Sequence, residues 1–244
     1  MSTNAGASVT LVRNATVLAT VGETTFLVDP LFASEGTLPP IDNTPNDRAN
    51  PLVPIPDVDL SHDAVIVTHR HPDHFDEAAR SELGSDVPLF CQPAEAEAFV
   101  EDGFTDVRPV EDAASFGGIS LHRTPGRHGH GELAERMGPV SGFVLEGDET
   151  LYLAGDTVWY EPVAATLERF EPDAVVLNGG EARFNQGEPI TMGVADVAAV
   201  REATDAGVAV VHMEAINHCL LSREELRSET EGVLVPEDGA RLEL

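Results

Sequence analysis

The run Thr68-His69-Arg70-His71-Pro72-Asp73-His74 places three imidazoles and a carboxylate directly after the apolar segment Ala64-Val65-Ile66-Val67. A strand sends alternate side chains to the same side, so His69 and His71 can reach one cation. The turn that follows lets Asp73 and His74 reach a neighbouring one. The string therefore predicts a site for two adjacent divalent cations at the end of a buried strand.

The rest of the chain has to be compatible with such a site. It carries 43 Asp plus Glu against 14 Lys plus Arg, and every one of those cations is Arg. A net charge of −29 on 244 residues opposes compaction in dilute buffer, a lever that salt-adapted proteins use. The acids are spread along the chain and form no tail, so a salt-rich cytoplasm is expected rather than a basic partner. With 42% hydrophobic and 5% aromatic residues, the chain has ample Val, Leu, Ala and Ile for a core and is not disordered. A single domain over residues 1–244 is expected, built of two similar halves, roughly 1–115 and 116–244.

Met1 to Ser8 shows no basic patch followed by an apolar stretch, and no apolar run approaches the roughly 18 residues of a membrane span. A cytoplasmic protein without a membrane partner is expected, and a homo-oligomer stays open. Cys91 and Cys219 are too few for a zinc knuckle or a disulfide framework, so both are expected as buried thiols.

Val9 to Arg13, Ala15 to Thr20 and Thr24 to Val28 are short β-branched-rich runs that predict an antiparallel meander. From Gly36 to Asp59 the composition shifts to Pro, Asn and Asp without periodicity, which predicts a long ordered loop or lid. Strand and helix then alternate: a strand at Ala64–Thr68, helix at Phe75–Leu83, strand at Leu89–Cys91, helix at Ala94–Glu101. Strands return at Ile119–Thr124, Ser141–Glu146 and Thr150–Ala154. The last third alternates again, with helices at Val163–Arg169 and Val194–Ala203 and strands at Ala174–Asn178 and Val208–His212. Ser222 and Glu225 form a capping-box signature before a final helix, followed by a strand at Val233–Val235. This order predicts two sheets packed face to face with helices outside. Ligand-type residues fall just after several of the strands, where loops at one rim can bring them together.

Thr68 to His74 matches a T-H-x-H-x-D-H signature, and Gly155-Asp156-Thr157 a later G-D-T. Pro125-Gly126-Arg127-His128 and Val211-His212 follow in the corresponding order. On these motifs the chain resembles the metallo-β-lactamase-fold hydrolases. Ala154 to Tyr160 and His212 to His218 look like the branch containing L-ascorbate-6-phosphate lactonase. The resemblance implies an α+β fold, a four-layer αββα sandwich, with a two-metal site at the rim between the sheets. By that likeness His69, His71 and His128 hold the first ion, Asp73, His74 and His212 the second, and Asp156 bridges both. The inserted Arg127 leaves His130 as an alternative to His128.

Imidazole and carboxylate ligands without thiolate suit Zn2+, Mn2+ or Fe equally well and do not choose the metal, so Zn2+ is expected only as the commonest case. Two such ions about 3.5 to 4 Å apart share a water, bring its pKa from about 16 toward neutrality, and aim hydroxide at an electrophilic carbon or phosphorus. The expected activity is hydrolysis of a small ester, lactone or phosphodiester. Asp73, beside its ligand role, and His218, as proton donor or substrate contact, are the candidate catalytic residues. His218 reads equally as a hydrogen-bonded structural histidine. His130 and Arg183 are candidate substrate contacts, although Arg183 also suits a surface ion pair. Asp29 reads either as a turn carboxylate or as an acceptor orienting a ligand imidazole. His62 and His122 are expected to be structural or exposed, and Glu214 is given no role.

The alternatives within the fold are a single-iron sulfur dioxygenase and a nuclease-type phosphodiesterase. His71 argues against the diiron oxidoreductases of this fold, which carry a carboxylate there. The chain has no basic stripe for nucleic acid, so a small-molecule substrate is expected and no nucleic-acid partner.

Overall fold

The computed structural model describes residues 7–243. The residues from Met1 to Gly6, on which most of the leader reading rests, lie outside that range. Ser8–Arg13 (β1), Thr16–Val21 (β2) and Thr24–Val28 (β3) form the expected antiparallel meander. Ala64–Val67 (β4), Leu89–Cys91 (β5) and Val107–Pro109 (β6) then add in parallel. A second sheet is built from Ala113–Phe116 (β7), Ile119–Pro125 (β8), Ser141–Glu146 (β9), Thr150–Leu153 (β10), Ala174–Asn178 (β11) and Gly207–Val211 (β12). Arg241–Glu243 (β13) returns to the first sheet and pairs antiparallel with β1. The strand orders are β13-β1-β2-β3-β4-β5-β6 and β12-β11-β10-β9-β8-β7.

Alternation explains how the layers form. In β4, Ala64 and Ile66 enter the apolar layer between the sheets, while Val65 and Val67 face outward into a second apolar cluster with Phe75, Phe99 and Phe104. In β10 and β11, Leu151, Leu153 and Val176 face the first sheet, whereas Tyr152, Val175 and Leu177 pack beneath the helices. Strands buried on both faces read as unbroken apolar runs, as Ala64 to Val67 does. Each such aliphatic side chain contributes about 1.5–3 kcal/mol of burial.

Helices Glu77–Glu82 (α1) and Ala96–Glu101 (α2) lie on the first side. Gly131–Met137 (α3) precedes β9. Glu161–Phe170 (α4), Val194–Ala203 (α5) and Arg223–Glu229 (α6) carry core residues of the second side. Asp76 caps α1 through the Ala79 amide and Ser222 caps α6 through the Glu225 amide. The α+β sandwich with helices on both outer faces is therefore present.

Four elements were not expected from the sequence. β6 ends in proline and β7 reads Ala-Ala-Ser-Phe, neither with a run of β-branched residues. α3 begins at Gly131 and buries none of its residues. β13 is three residues long, mostly exposed, and defined only by its pairing with β1. Conversely, the strand expected at Val233–Val235 is reduced to one parallel bridge between Leu234 and Ala209. Gly232 and Pro236 leave no room for a longer ladder.

Gly36 to Asp59 forms no helix or named strand, and one bridge joins Leu38 to Asn50. Its middle, and the chain that leads into it, are held by buried polar side chains. The Arg13 guanidinium donates to the carbonyls of Leu31, Ala33 and Val53 at 2.6–3.0 Å. The Asn217 amide accepts from the Ile41 amide and from Asn50, and donates to Thr44 and to the Asn46 carbonyl. Cys91 and Cys219 are buried free thiols. No helix among the described residues is long and apolar enough to cross a membrane.

Candidate metal centre

Seven side chains singled out in the sequence meet at one rim of the sandwich. His69 and His71 leave the end of β4, and Asp73 and His74 occupy the turn before α1. His128, Asp156 and His212 follow β8, β10 and β12. Two glycines make these turns passable. Gly155 has φ +68°, and a Cβ there would lie 2.8 Å from the Ser141 carbonyl. A Cβ on Gly180 would lie 2.0 Å from the His212 carbonyl. His212 itself has φ +61°, a left-handed conformation rare for a residue with a side chain and often kept at functional sites. Its amide donates to the Asn14 carbonyl at 2.8 Å.

The converging donors form three groups, His69–His71–His128, His69–His74–Asp156 and Asp73–His74–His212, each with ligand atoms within 4.8 Å of one another. Asp156 Oδ2 lies 3.2 Å from His74 Nε2, 3.4 Å from His128 Nε2 and 4.0 Å from His69 Nε2, and its Oδ1 lies 3.6 Å from His212 Nε2. Asp73 Oδ2 is 3.4 Å from His212 Nε2. His71 is partly exposed and the other six are buried, so the site is recessed with one accessible edge.

Each imidazole is fixed from behind by an acceptor, which decides which nitrogen keeps its lone pair. His128 Nδ1 donates to the Ile190 carbonyl at 2.8 Å, and His71 Nε2 to the Met137 carbonyl at 3.0 Å. His74 Nδ1 donates to Asp29 Oδ2 at 2.8 Å. The Thr68 hydroxyl donates to that same carboxylate, so its lone pair accepts from His69 Nδ1 at 3.1 Å. His212 Nδ1 faces Cys219 Sγ at 3.2 Å. The nitrogens left over point inward: His69 Nε2 and His71 Nδ1 stand 2.9 Å apart, and His74 Nε2 and His212 Nε2 3.1 Å apart. Two lone pairs brought this close in a buried site repel unless a cation or a proton lies between them. Asp73 Oδ2, buried and without a hydrogen-bond donor, is the carboxylate counterpart. The donor set fits divalent cations.

The electrostatics agree. Burial alone would lower the His74 pKa, but Asp156, Asp29 and Asp73 outweigh it and raise it to about 10. His128 has less compensation, and burial pushes it down to about 4. Asp156 loses solvation but faces His212, His74 and His128, which hold its carboxyl well below the usual range. Burial raises the Cys219 thiol, yet His212 and His218 bring it down to about 7.

His128, not His130, joins the cluster. His130 stands at the N-cap position of α3 without a side-chain capping bond, is 42% exposed, and lies 3.7 Å from Glu188. Arg183 pairs with Glu181, and Glu214 pairs with Arg223 at 2.6 Å. His62 and His122 bond the Leu60 carbonyl and Glu146. His218 is buried near Asp73, its ring centroid 6.3 Å from that of His212, with an Nδ1 that has no partner. Asp29 fulfils both of its readings, since it also accepts from the Thr68 amide at 2.7 Å. Asn178, whose amide donates to Asp156 Oδ1 at 2.7 Å, was visible only as the last residue of a strand. Asn14, which also donates to the Asp73 carbonyl, was visible only as a turn. The backbone acceptors Met137 and Ile190 leave no residue-type signal at all.

Comparison with known proteins agrees with the geometry. Residues 24–213 match the beta-lactamase superfamily domain. The UPF0173 protein YddR of Bacillus subtilis is 39% identical over 95% of this chain and 98% of its own length. A UPF0173 metal-dependent hydrolase of Thermoplasma acidophilum is 26% identical over 52% of this chain and 58% of its own. The structure of an isothiocyanate hydrolase from Delia radicum gut bacteria superposes with a TM-score of 0.91 at 35% identity, covering 96% of this chain and 98% of that one.

Proposed function

Because the chain belongs to the beta-lactamase superfamily, in its UPF0173 group, we propose that it is a binuclear metal hydrolase that adds water to a small uncharged electrophile: an isothiocyanate, ester or lactone. The observation that carries this reading is the set of four imidazoles whose protons are tied outward, leaving inward lone pairs around Asp156, with His212 Nε2 facing the same carboxylate. His69, His71 and His128 would hold one ion, Asp73, His74 and His212 the other, and Asp156 would touch both. Zn2+ is the first candidate, with Mn2+ and Fe as alternatives. When bound, such ions supply Lewis-acid charge and solvent acidified to near neutral pH.

The protein's own residues do the remainder. Asp29 and Thr68 keep His69 and His74 in the required tautomers. Asn178 fixes the Asp156 carboxylate, and buried walls keep the recess at low dielectric, where charge stabilisation is strongest. His218, buried with an unpartnered Nδ1 and close enough to feel the Asp73 charge, would hold the proton delivered to the departing nitrogen or oxygen. An uncharged substrate is favoured over a sugar phosphate or phosphodiester because Arg183, the candidate anion contact, is already paired with Glu181. The net charge of −29 also disfavours anions and suits a salt-rich cytoplasm.

The test is to measure metal content and then turnover of isothiocyanate, ester, lactone and phosphodiester panels, with oxygen uptake followed on a thiol persulfide. Two equivalents of metal and turnover of an uncharged panel are expected. Oxygen uptake without hydrolysis would replace this reading by the sulfur dioxygenase.

A further inference from the structure

The lid forms one wall of a cavity of about 100 Å3 whose floor is Pro72 and Asp73. Leu38 and Ile41 of the lid and Ile216 of the loop after β12 supply its sides, with Asn50 at its edge. We propose that this cavity is the subsite for a short aliphatic substituent of the substrate, placing the electrophilic carbon at the metal centre; the inference rests on the hydrolase reading. Three observations support it. The cavity shares Asp73 with the ligand cluster, so a group seated there is within one side chain of the reacting position. Its lining includes no cationic side chain, and the chain contains no lysine, which makes an apolar occupant the favourable one. Half-buried Leu133, Met137 and Phe184 continue the apolar surface around the cluster that contains Ile216.

Size sets the occupant. An apolar cavity of roughly 150 Å3 takes up benzene, so about 100 Å3 suits a chain of some three to five carbons better than a rigid aryl ring. The walls are fixed in advance. Asn217 bonds both the amide and the carbonyl of Ile41 and the Asn50 side chain, while Pro39 and Pro40 restrict the lid backbone. A site ordered before binding spends little of its interaction energy on rearrangement.

The experiment uses the metal-loaded protein and n-alkyl isothiocyanates from methyl to hexyl, with phenyl isothiocyanate. The expected kcat/KM rises about fourfold per methylene to a chain of about four carbons and falls for hexyl and phenyl. L38W, which fills the cavity, lowers the butyl-to-methyl ratio of kcat/KM at least tenfold. L38A, which enlarges it, shifts the optimum toward hexyl and phenyl. A flat profile in an active enzyme, or a ratio unchanged in both variants, overturns the subsite while leaving hydrolysis standing. Absence of turnover of every substrate fails the hydrolase reading. In that event xenon decides on the cavity: 13C-methyl resonances of Ile41 and Ile216 that shift under xenon in the wild type but not in L38W keep it as an apolar site, and unshifted ones overturn it.

Discussion

The sandwich and the lid are held together by different physics. Between the sheets, Val9, Phe26, Ile66, Phe143, Leu151 and Val176 interlock with no polar atom to satisfy. The lid from Gly36 to Asp59 has almost no ladder and depends on a few buried polar side chains, Arg13 and Asn217 above all, that bond its backbone. The first arrangement tolerates exchange of one aliphatic residue for another of similar volume. The second does not tolerate loss of one amide, because several backbone groups would lose their partners together. The candidate metal ligands stand on the rigid part and the proposed substrate wall on the dependent part, so chemistry and substrate choice should separate under mutation.

The largest effect expected is on the rigid side. Asp156→Ala should abolish turnover and remove bound metal by elemental analysis while the circular dichroism spectrum is retained; near wild-type turnover would break the assignment of the rim to chemistry. Asn178→Ala, which frees the Asp156 carboxylate, should weaken metal affinity about 10- to 100-fold. On the lid side, Asn217→Ala should lower stability by about 2–4 kcal/mol in urea unfolding and raise KM with the metal stoichiometry intact. Loss of metal in that variant would show that lid and centre form one unit.

A pH series sharpens the same contrast. In the metal-free protein the folded His74 pKa is raised to about 10, above its unfolded value of about 6.5. The stabilisation is therefore full below about pH 6.5 and is lost as pH rises toward 10. The metal-free melting temperature should fall across that window. The metal-loaded protein, in which the cation takes the place of the proton, should not show the fall. The smallest effect is general: raising KCl from about 0.1 to 1 M shortens the screening length from about 10 to 3 Å. This should raise the melting temperature by weakening repulsion among the surface carboxylates, and a melting temperature indifferent to KCl would reject the salt-adapted reading.

The division also explains what the sequence disclosed. The strands that bury both faces, and the string from Thr68 to His74, are local patterns of residue type, and both were legible. The orientation that turns His128 Nε2 into the cluster depends on the Ile190 carbonyl, a backbone atom brought from a distant segment. The role of Asn217 depends on partners some 170 residues away, and no periodicity announces it. β13 exists only because β1 offers an edge. Interactions that are long in sequence and made by backbone or amide groups leave little trace in composition.

The pairing of β13 with β1 bears on how the protein is made. Ser8 to Thr10 are synthesised long before their outer neighbours, residues 241–243. His212 likewise comes well after His69 and His71. Until residues 212 and 241–243 are made, the nascent chain carries an unprotected strand edge and an incomplete set of candidate ligands, exposed to mispairing. If the rim holds two metal ions as proposed, their capture waits for His212, and ribosome-stalled chains that stop short of residue 212 should be proteolysed even when metal is abundant.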